Sequence, residues 1–540
     1  MANVAAGTRS YGWSDDAPLA ATHDARPELA LTIDAALEQA WTDAGISPAD
    51  EIGDDVFVRR VYLDLAGRIP STDERAAFLN DPSSDRRQAL LTTLLASEDH
   101  ALHMADVFDV LLMGRASGRR TRERHEHGWR AWLENAFRDN RPWNEMAETM
   151  LLARPATPED NAAAWFLYER DNDYQKIAEA VAPAFFGFRI ECAQCHDSMT
   201  AAEVEQAHYW GLVAFFNRGK NEMTGQGPRI VESAIGGFSE FADIEGSSSP
   251  NLLSFLEAET VEESRPAPDA EQADTDDLYQ PAARDGEPRE PIFSRRQRFV
   301  EDIVHDHPLL ARAMVNRLWA MLMGRGLVHP FDEMDSAHSV SHPELLDLLA
   351  DDFRKNGHDI RRTLLAIAST RAYQRAARKP TGVEDPATFA WYLERPLTAE
   401  QFARSLHLAL LGTSHVAPEK LEPIRRAMPD VMPDESVTGI AEPLFLSNGE
   451  ALLELIQQAS QPPHPLATLA TLPSADKVTE QLFLSTLGRQ PTPEETTTIE
   501  AFLNGQAASA ASGETLPIDL GRLRDLAWAL VTSAEFRFNH

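Results

Sequence analysis

The stretch Glu191 to Asp197, ECAQCHD, organises the chain, because it holds the only two cysteines among the 540 residues. Cys192 and Cys195 are separated by two residues, and His196 follows directly. This is the pattern of covalent c-type haem attachment, in which two thiols add to the haem vinyl groups and the adjacent imidazole lies under the iron. The pattern therefore predicts covalent haem c at Cys192 and Cys195, with His196 as an iron ligand.

Two haem-free interpretations of the same residues stay open. Cys192 and Cys195 can form a local disulfide or a redox-active dithiol, with His196 lowering the pKa of a thiol. They can also supply part of a zinc site, but a closed site needs four ligands and the sequence has no second cysteine pair. A thioredoxin-like dithiol normally lies near a βαβ pattern, which the sequence does not show.

The composition is that of a globular protein with more than one domain. The length of 540 residues exceeds the roughly 250–300 residues at which single cores stop growing. No run of eighteen or more apolar residues occurs, so no transmembrane segment is expected. Met1 to Asp16 lack the basic start and apolar stretch of a signal peptide. Because haem c is attached outside the cytoplasm, either the sequence is the mature or expressed form of a periplasmic or secreted protein, or its export information is missing; we favour the former.

The charge balance is strongly acidic, with a formal net charge of −35. Such a chain repels nucleic acids and anionic membrane surfaces, so neither is an expected partner. Solubility in a salty environment is the simpler interpretation of this charge. The more specific one is an acidic face that docks a basic electron carrier as a redox partner.

The hydrophobic pattern indicates a mainly α-helical chain. Ile33, Leu37 and Trp41 recur at helical spacing, and similar periods continue to the C-terminus. Several glycines and a short apolar alternation at 224–245 suggest a small β excursion there. We predict a helical domain at 28–245 that carries the cysteine motif, an acidic Pro/Ser-rich and mobile linker at 246–290, and a helical C-terminal domain at 291–540.

The sequence also shows weak internal repetition. The stretch from Leu65 to Glu74 is echoed by Leu487 to Glu494, and each is followed by an apolar helix that reaches a serine, Ser97 or Ser533. A helical hairpin used twice explains this pattern, although the register is too loose for a solenoid.

Several motifs resemble the planctomycete cytochrome-like family of unknown function. They are RRVYLDLAGRIPS at 59–71, CAQCHD at 192–197 and YWGLVAFF at 209–216. In the second half, NRLWAMLMGRGLV at 316–328 and SHPELLD at 341–347 are similar to the domain that usually follows in this family. The resemblance covers nearly the whole chain from about residue 28.

The resemblance implies an exported protein whose biochemical role is unassigned. Genes of this family tend to accompany a secreted sulfatase- or phosphatase-like protein, which suggests a partner. We therefore expect an exported mono-haem redox protein, either an electron carrier or a haem oxidoreductase of unknown substrate. The alternative is a haem-free helical scaffold or binding subunit that serves such a secreted hydrolase. Ser198 and Met199 replace a second His and a Pro of the family pattern, which puts any role of that His in doubt.

A sixth iron ligand has to come from outside the motif. Met199 lies three residues after His196, a spacing that puts both on one face of a helix, whereas axial ligands approach opposite faces of the haem. The remaining candidates are His208, Met223, His338 and His342. For His342 the alternative role is that of a first-turn helix residue that bonds to the local backbone.

Two arginines of the NRLWAMLMGRGLV motif are candidate cofactor-binding residues. Arg317 and Arg325 suit the carboxylates of haem propionates, because a guanidinium binds a carboxylate in a planar, two-point arrangement. Structural ion pairs inside the C-terminal domain are the alternative role for both.

Overall fold

A computed structural model of the chain describes residues 26–115, 119–154, 157–267, 270–281, 289–305, 307–428, 432, 439–504 and 518–540. The described chain is mainly helical, as the sequence predicts. The helices before the small strands are α1 Glu28–Ala44, α2 Asp54–Val61, α3 Thr72–Asn80, α4 Arg86–Leu95, α5 Glu98–Met113, α6 Arg119–Glu126, α7 Trp129–Arg138, α8 Trp143–Leu152, α9 Trp165–Tyr168, α10 Tyr174–Val181 and α11 Gln206–Phe216.

The helices after the strands continue the same architecture. They are α12 Arg295–Arg298, α13 Pro308–Met323, α14 Pro343–Lys355, α15 Ile360–Ala368, α16 Ala399–Leu411, α17 Pro418–Ala427, α18 Ala441–Asn448, α19 Glu450–Ala459, α20 Pro465–Leu469, α21 Ala475–Thr486, α22 Pro493–Asn504, α23 Leu520–Val531 and α24 Ala534–Arg537. Short π-helical turns lie at Tyr62–Ala66, Ala182–Phe186 and Phe299–Val304, and 3₁₀ turns lie at Pro158–Ala164, Glu191–Gln194, Asp276–Leu278 and Pro386–Thr388.

The strands of the described residues form antiparallel pairs. They are β1 Gly219–Thr224 with β2 Gly227–Glu232, β3 Glu240–Ala242 with β4 Ser248–Pro250, and β5 Arg395–Pro396 with β6 Phe538–Asn539. The first two pairs lie in and beside the stretch 224–245, so the predicted β excursion is confirmed. The third pair joins the end of the chain to the segment before α16.

The buried apolar residues form two clusters. The larger runs from Leu29 to Tyr392. The smaller is built from Leu397 to Phe536, with Leu63 and Ile69 from the first part of the chain. The apolar clusters divide the chain near residue 393. This division does not test the domain boundaries at 28–245, 246–290 and 291–540, which stay a prediction.

The described part of 246–290 packs against the rest of the protein. Its apolar side chains Leu253, Phe255, Leu256 and Val261 are buried within the larger cluster. Glu263 forms ion pairs with Arg218 and Arg295 at 2.8 and 2.6 Å. At least one carboxylate of this acidic segment, that of Glu263, therefore has a structural role. Its predicted mobility remains to be tested by proteolysis, and residues 268–269 and 282–288 lie outside the described chain.

In the first copy of the internal repeat, an arginine pairs with the carboxylate that caps the N-terminus of a helix. Ser71 and Glu74 form a capping box on α3, in which each side chain accepts the backbone N–H of the other residue. Arg68 then holds the Glu74 carboxylate at 2.8 Å and Asp99 of α5 at 2.6 Å. Gly67, before this arginine, has φ +67°, and a Cβ there would lie 2.6 Å from His103 Nδ1.

The second copy repeats this arrangement. Thr492 and Glu495 exchange the same two hydrogen bonds at the start of α22. Arg489 holds Glu495 at 2.8 Å and Glu535 of α24 at 2.6 Å. The two copies thus share the cap, the arginine and a second carboxylate that follows a capping serine, Ser97 or Ser533. This supports the interpretation of a helical hairpin used twice.

Among the helices that the structure describes, none combines the length and apolar character needed to cross a membrane.

We expect Gly211→Ala to lower the free energy of unfolding by about 1–3 kcal/mol. Gly211 lies inside α11, where a Cβ would stand 2.2 Å from the carbonyl oxygen of Ser254. The collision with backbone outweighs the roughly 1 kcal/mol that alanine gains in helix propensity. Urea unfolding measures the effect. Gly225→Ala is the matched control, because its Cβ would meet no atom within 4 Å; equal effects in both variants would contradict this close contact.

Candidate functional site

The cysteine motif forms a short turn on the N-terminus of α11. Glu191–Gln194 is a 3₁₀ turn whose Ala193 is fully buried, while the residues around it reach the surface. Gln206 Nε2 and Trp210 Nε1 both donate to the carbonyl oxygen of Gln194, each at 3.1 Å. The Asp197 carboxylate accepts the backbone N–H of Gln206 at 2.8 Å, as a cap on the helix N-terminus. The turn is therefore anchored at its middle and at its end.

The reactive groups of the motif are on the solvent side of this turn. Cys192 and Cys195 are free thiols, and both are exposed. His196 is half-buried, and its Nδ1 lies 2.7 Å from the carbonyl oxygen of Asp197. A carbonyl only accepts hydrogen bonds, so Nδ1 carries the proton and Nε2 presents its lone pair. A fixed tautomer of this kind is typical of a histidine that binds a metal through its other nitrogen.

Residues from the second half of the chain hold the segment just before the motif. Arg317 of α13 donates to the carbonyl oxygens of Ala184 and Pro183 at 3.1 and 3.0 Å. Met334 N donates to the carbonyl oxygen of Gly187 at 2.8 Å. Burial lowers the pKa of Arg317 to about 10. Two nitrogens of the Arg317 guanidinium are thus engaged by backbone carbonyls before the motif, not by an ion pair inside the C-terminal domain, and its contact with haem propionates stays a prediction.

The segment just after the motif is held from the same side. The Glu203 carboxylate accepts the backbone N–H and the hydroxyl of Ser336, each at 2.6 Å. Arg189, before the motif, pairs with Asp332 at 3.0 Å. The loop that follows α13 therefore braces the motif on both flanks.

His208 belongs to the cap of α11. Its Nδ1 accepts the backbone N–H of Glu205 at 3.3 Å. In a neutral ring the proton then lies on Nε2, so binding a metal through Nε2 requires the other tautomer and the loss of this cap. Met199 is 89% exposed and Met223, on β1, is 45% exposed.

The candidate ligands of the C-terminal region lie in local contacts of their own. His342 is the residue before α14; its ring packs on Phe389 at 5.6 Å and its Nδ1 lies 3.2 Å from the Ser341 hydroxyl. Burial lowers the pKa of His342. His338 lies between Asp335 and Glu333, at 2.7 and 3.0 Å. No contact of His342 or His338 given by the described structure reaches His196.

No group of three or more His, Cys, Asp or Glu side chains in the described chain has an arrangement that could hold a metal ion. His196, His208 and His342 belong to no such group among these residues.

A second polar cluster is centred on Asp64 of the RRVYLDLAGRIPS motif. Its buried carboxylate accepts four hydrogen bonds: from Tyr373 at 2.8 Å, Tyr392 at 3.1 Å, Arg395 at 2.7 Å and Asn539 at 2.8 Å. The donors come from sequence positions far from Asp64, including the last strand. The cluster therefore fastens the C-terminus and the segment before α16 to the first part of the chain.

Arg60 adds a second cation to the Asp64 cluster. Its guanidinium stacks on the Tyr392 ring at 3.6 Å and donates to the carbonyl oxygens of Tyr373 and Arg375 at 2.5 and 2.9 Å. Burial raises the pKa of Asp64, and Arg395 and Arg60 oppose that rise. Burial also raises the pKa of Tyr392 to about 12, so this phenol keeps its proton and donates at neutral pH.

Asp64 is not among the site residues predicted from the sequence. A carboxylate between Leu63 and Leu65, in a run that is otherwise apolar or basic, is the one local signal for it. A buried carboxylate needs partners, and these partners lie more than 300 residues away.

Two family models match the chain. Residues 32–221 match the model described as PSCyt2, a protein of unknown function (DUF1549), and residues 295–428 match PSD1, a protein of unknown function (DUF1553). No curated protein and no solved structure matches. Neither description names a cofactor or a reaction.

The contacts of Arg317, Met334 and Ser336 described above join the two matched regions at the cysteine motif. Their order fits the planctomycete family that the motifs resemble, while residues 429–540 lie outside both matches. The chain is therefore similar, in this order, to two domains of unknown function, PSCyt2 and PSD1.

Proposed function

We propose that the chain is an exported mono-haem redox protein, with haem c bound to Cys192 and Cys195 and His196 as the proximal ligand. The observation that carries this proposal is the hydrogen bond from His196 Nδ1–H to the Asp197 carbonyl oxygen, which leaves the Nε2 lone pair for iron. The two thiols are exposed and unpaired, as addition to the haem vinyl groups requires.

The residues around the motif suit a cofactor held at the surface. Gln206 and Trp210 hold the turn by hydrogen bonds to the Gln194 carbonyl, and the loop after α13 holds its flanks. Bound haem would supply a one-electron couple. Preorganised protein groups lower the rearrangement that such a couple requires, so a firmly anchored turn is consistent with electron transfer. The acidic surface, with a net charge of −35, suits a basic redox partner.

Expression with a cytochrome c maturation system tests the proposal. We expect the intact mass to exceed that of the polypeptide by one haem, with a Soret band that persists under denaturing conditions. Cys192→Ala and Cys195→Ala should each lose one thioether link and so weaken or abolish attachment. His196→Ala should change the spectrum of the iron.

Met199→Ala is the matched control, because Met199 lies two residues after the motif and its side chain is 89% exposed. It should retain both haem and spectrum. A polypeptide mass without haem after maturation would reject the proposal and leave the dithiol or haem-free scaffold interpretation. If haem is attached, binding of carbon monoxide by the ferrous protein distinguishes an oxidoreductase with an open site from an electron carrier with two axial ligands.

A further inference from the structure

A cavity of about 240 Å³ lies next to the Asp64 cluster. Its walls come from both apolar clusters: Val107 belongs to the larger one, and Gln401 of α16 borders the smaller one. This volume approaches the roughly 300–1,000 Å³ of small-molecule sites. Apolar side chains, among them Met321, Phe331 and Leu393, form one part of its wall. The cavity is therefore large enough for several waters or a small organic molecule.

Arg325 places an uncompensated positive charge in the wall of this cavity. It follows α13, directly after Gly324, and its side chain is half-buried. Its Nε is buried without a hydrogen-bond partner, and within the described residues no ion pair involves its guanidinium. Most other buried arginines described above have a carboxylate or backbone partner. Water can solvate Arg325, but only an anion can neutralise it.

Two further polar atoms around the cavity also have no hydrogen-bond partner among the described residues. Asn539 is 3% exposed; its Nδ2 donates to Asp64, and its Oδ1 is buried and unpartnered. Arg395 uses Nη2 on Asp64, and its Nε is unpartnered. Buried polar atoms normally find partners, so this is the end of the cavity at which a polar ligand or a water would find free hydrogen-bonding groups. Glu394 also borders the cavity, but it is exposed and forms no ion pair with Arg325.

We propose that this cavity binds a small organic oxyanion, whose charged head lies at Arg325 and whose apolar body lies against Met321, Phe331 and Leu393. A guanidinium binds carboxylate, phosphate or sulfate oxygens through a planar fork of donors. The buried Asn539 Oδ1 accepts a hydrogen bond from a hydroxyl or N–H of the ligand. This site is independent of haem at the cysteine motif.

Titration calorimetry on the full chain, with and without haem, tests the proposal. The probes are benzoate, phenyl phosphate and phenyl sulfate, with benzamide as the neutral isostere of benzoate and inorganic sulfate as an anion without an apolar body. We expect at least one aromatic anion to bind, and benzamide and inorganic sulfate to bind at least about tenfold more weakly, since a hydrogen bond to a charged group carries this difference. The aromatic anion that binds most tightly identifies the head group.

Charge variants locate the site. Arg325→Gln should weaken binding of that anion at least about tenfold, Arg325→Lys should weaken it less, and Glu394→Gln should strengthen it. Arg426→Gln is the matched control, because Arg426 is 72% exposed on α17 and pairs with Glu422 there; it should leave binding unchanged. If Arg325→Gln does not fold, the opposite changes in Arg325→Lys and Glu394→Gln carry the test.

Three outcomes would overturn the proposal. Failure of all three aromatic anions to bind would remove the site. Equal binding of benzamide and benzoate would remove the role of the charge, and equal binding of inorganic sulfate would remove the role of the apolar walls. Loss of haem without loss of anion binding would reject the proposed redox function alone, so the two proposals fail separately.

Discussion

Replacing Asp106 by asparagine should lower the free energy of unfolding by about 3–5 kcal/mol. The Asp106 side chain is 3% exposed on α5, and its carboxylate forms ion pairs with Arg130 of α7 and Arg404 of α16. Arg425 of α17 lies 3.9 Å away. Asparagine keeps the shape but removes the charge, so these guanidiniums lose the carboxylate that compensates them. Chemical denaturation measures the loss.

The size of this effect follows from the position of the Asp106 cluster, which is Asp106 with Arg130, Arg404 and Arg425. α5 belongs to the larger apolar cluster, whereas α16 and α17 belong to the smaller one. Glu400 of α16 reinforces the junction, with Arg115 and Arg425 on its carboxylate at 3.0 and 2.8 Å. Weakening the junction should therefore separate the two clusters and broaden the unfolding transition, besides lowering its midpoint.

The same variant predicts a change in acid stability. Burial raises the pKa of Asp106, but Arg130 and Arg404 lower it by more, so it lies well below its ordinary value. Because the folded-state pKa is below the unfolded-state value of about 3.9, the stabilisation is complete above that value and is lost as the pH falls through the folded pKa. We expect the wild-type protein to lose stability below about pH 4 and Asp106→Asn to lose less over that range.

Asp171→Asn is the matched control for Asp106. Asp171 pairs with Arg120, but the two side chains are 59% and 54% exposed. Exposed ion pairs contribute about 0–1 kcal/mol, so this variant should unfold almost like the wild-type protein. Equal losses in the two variants would show that the Asp106 cluster has no special structural role.

Local sequence patterns predict the helices and their caps. Ser71 with Glu74 and Thr398 with Gln401 form capping boxes, because a cap depends only on residues three positions apart. The segment 246–290 shows the limit of composition. Its Asp, Glu, Ser and Pro content predicts a solvated linker, yet Phe255 is fully buried, because a few apolar residues suffice to anchor an acidic segment.

The candidate site, too, can be predicted from the sequence only in part. The spacing of Cys192, Cys195 and His196 can be recognised directly in the sequence. It predicts haem attachment but not how the three side chains are oriented. The tautomer of His196 and the engagement of Arg317 with Pro183 and Ala184 follow from tertiary contacts. The sequence alone does not distinguish the roles of Arg317 and Arg325, the two arginines of the NRLWAMLMGRGLV motif. The structure gives Arg317 backbone partners and places Arg325 in a cavity wall, a difference that depends on distant residues.

Asp64→Ala should have an effect comparable to that of Asp106→Asn, a loss of about 3–5 kcal/mol in the free energy of unfolding. It removes the acceptor of four hydrogen bonds and leaves the half-buried Arg395 and the fully buried Arg60 without this counter-charge. The Asn539 contact ties the β5–β6 pair to this carboxylate, so hydrogen exchange near the C-terminus should rise most.

A graded series distinguishes the charge of Asp64 from its hydrogen bonds. Tyr373→Phe removes one donor and keeps both the carboxylate and the ring that packs beside Tyr392, so it should cost only about 1 kcal/mol. Asp64→Asn keeps the shape and should fall between Tyr373→Phe and Asp64→Ala. If Tyr373→Phe costs as much as Asp64→Ala, hydrogen bonding alone would explain the cluster. If all three variants unfold like the wild-type protein, the Asp64 carboxylate does not fasten the C-terminus.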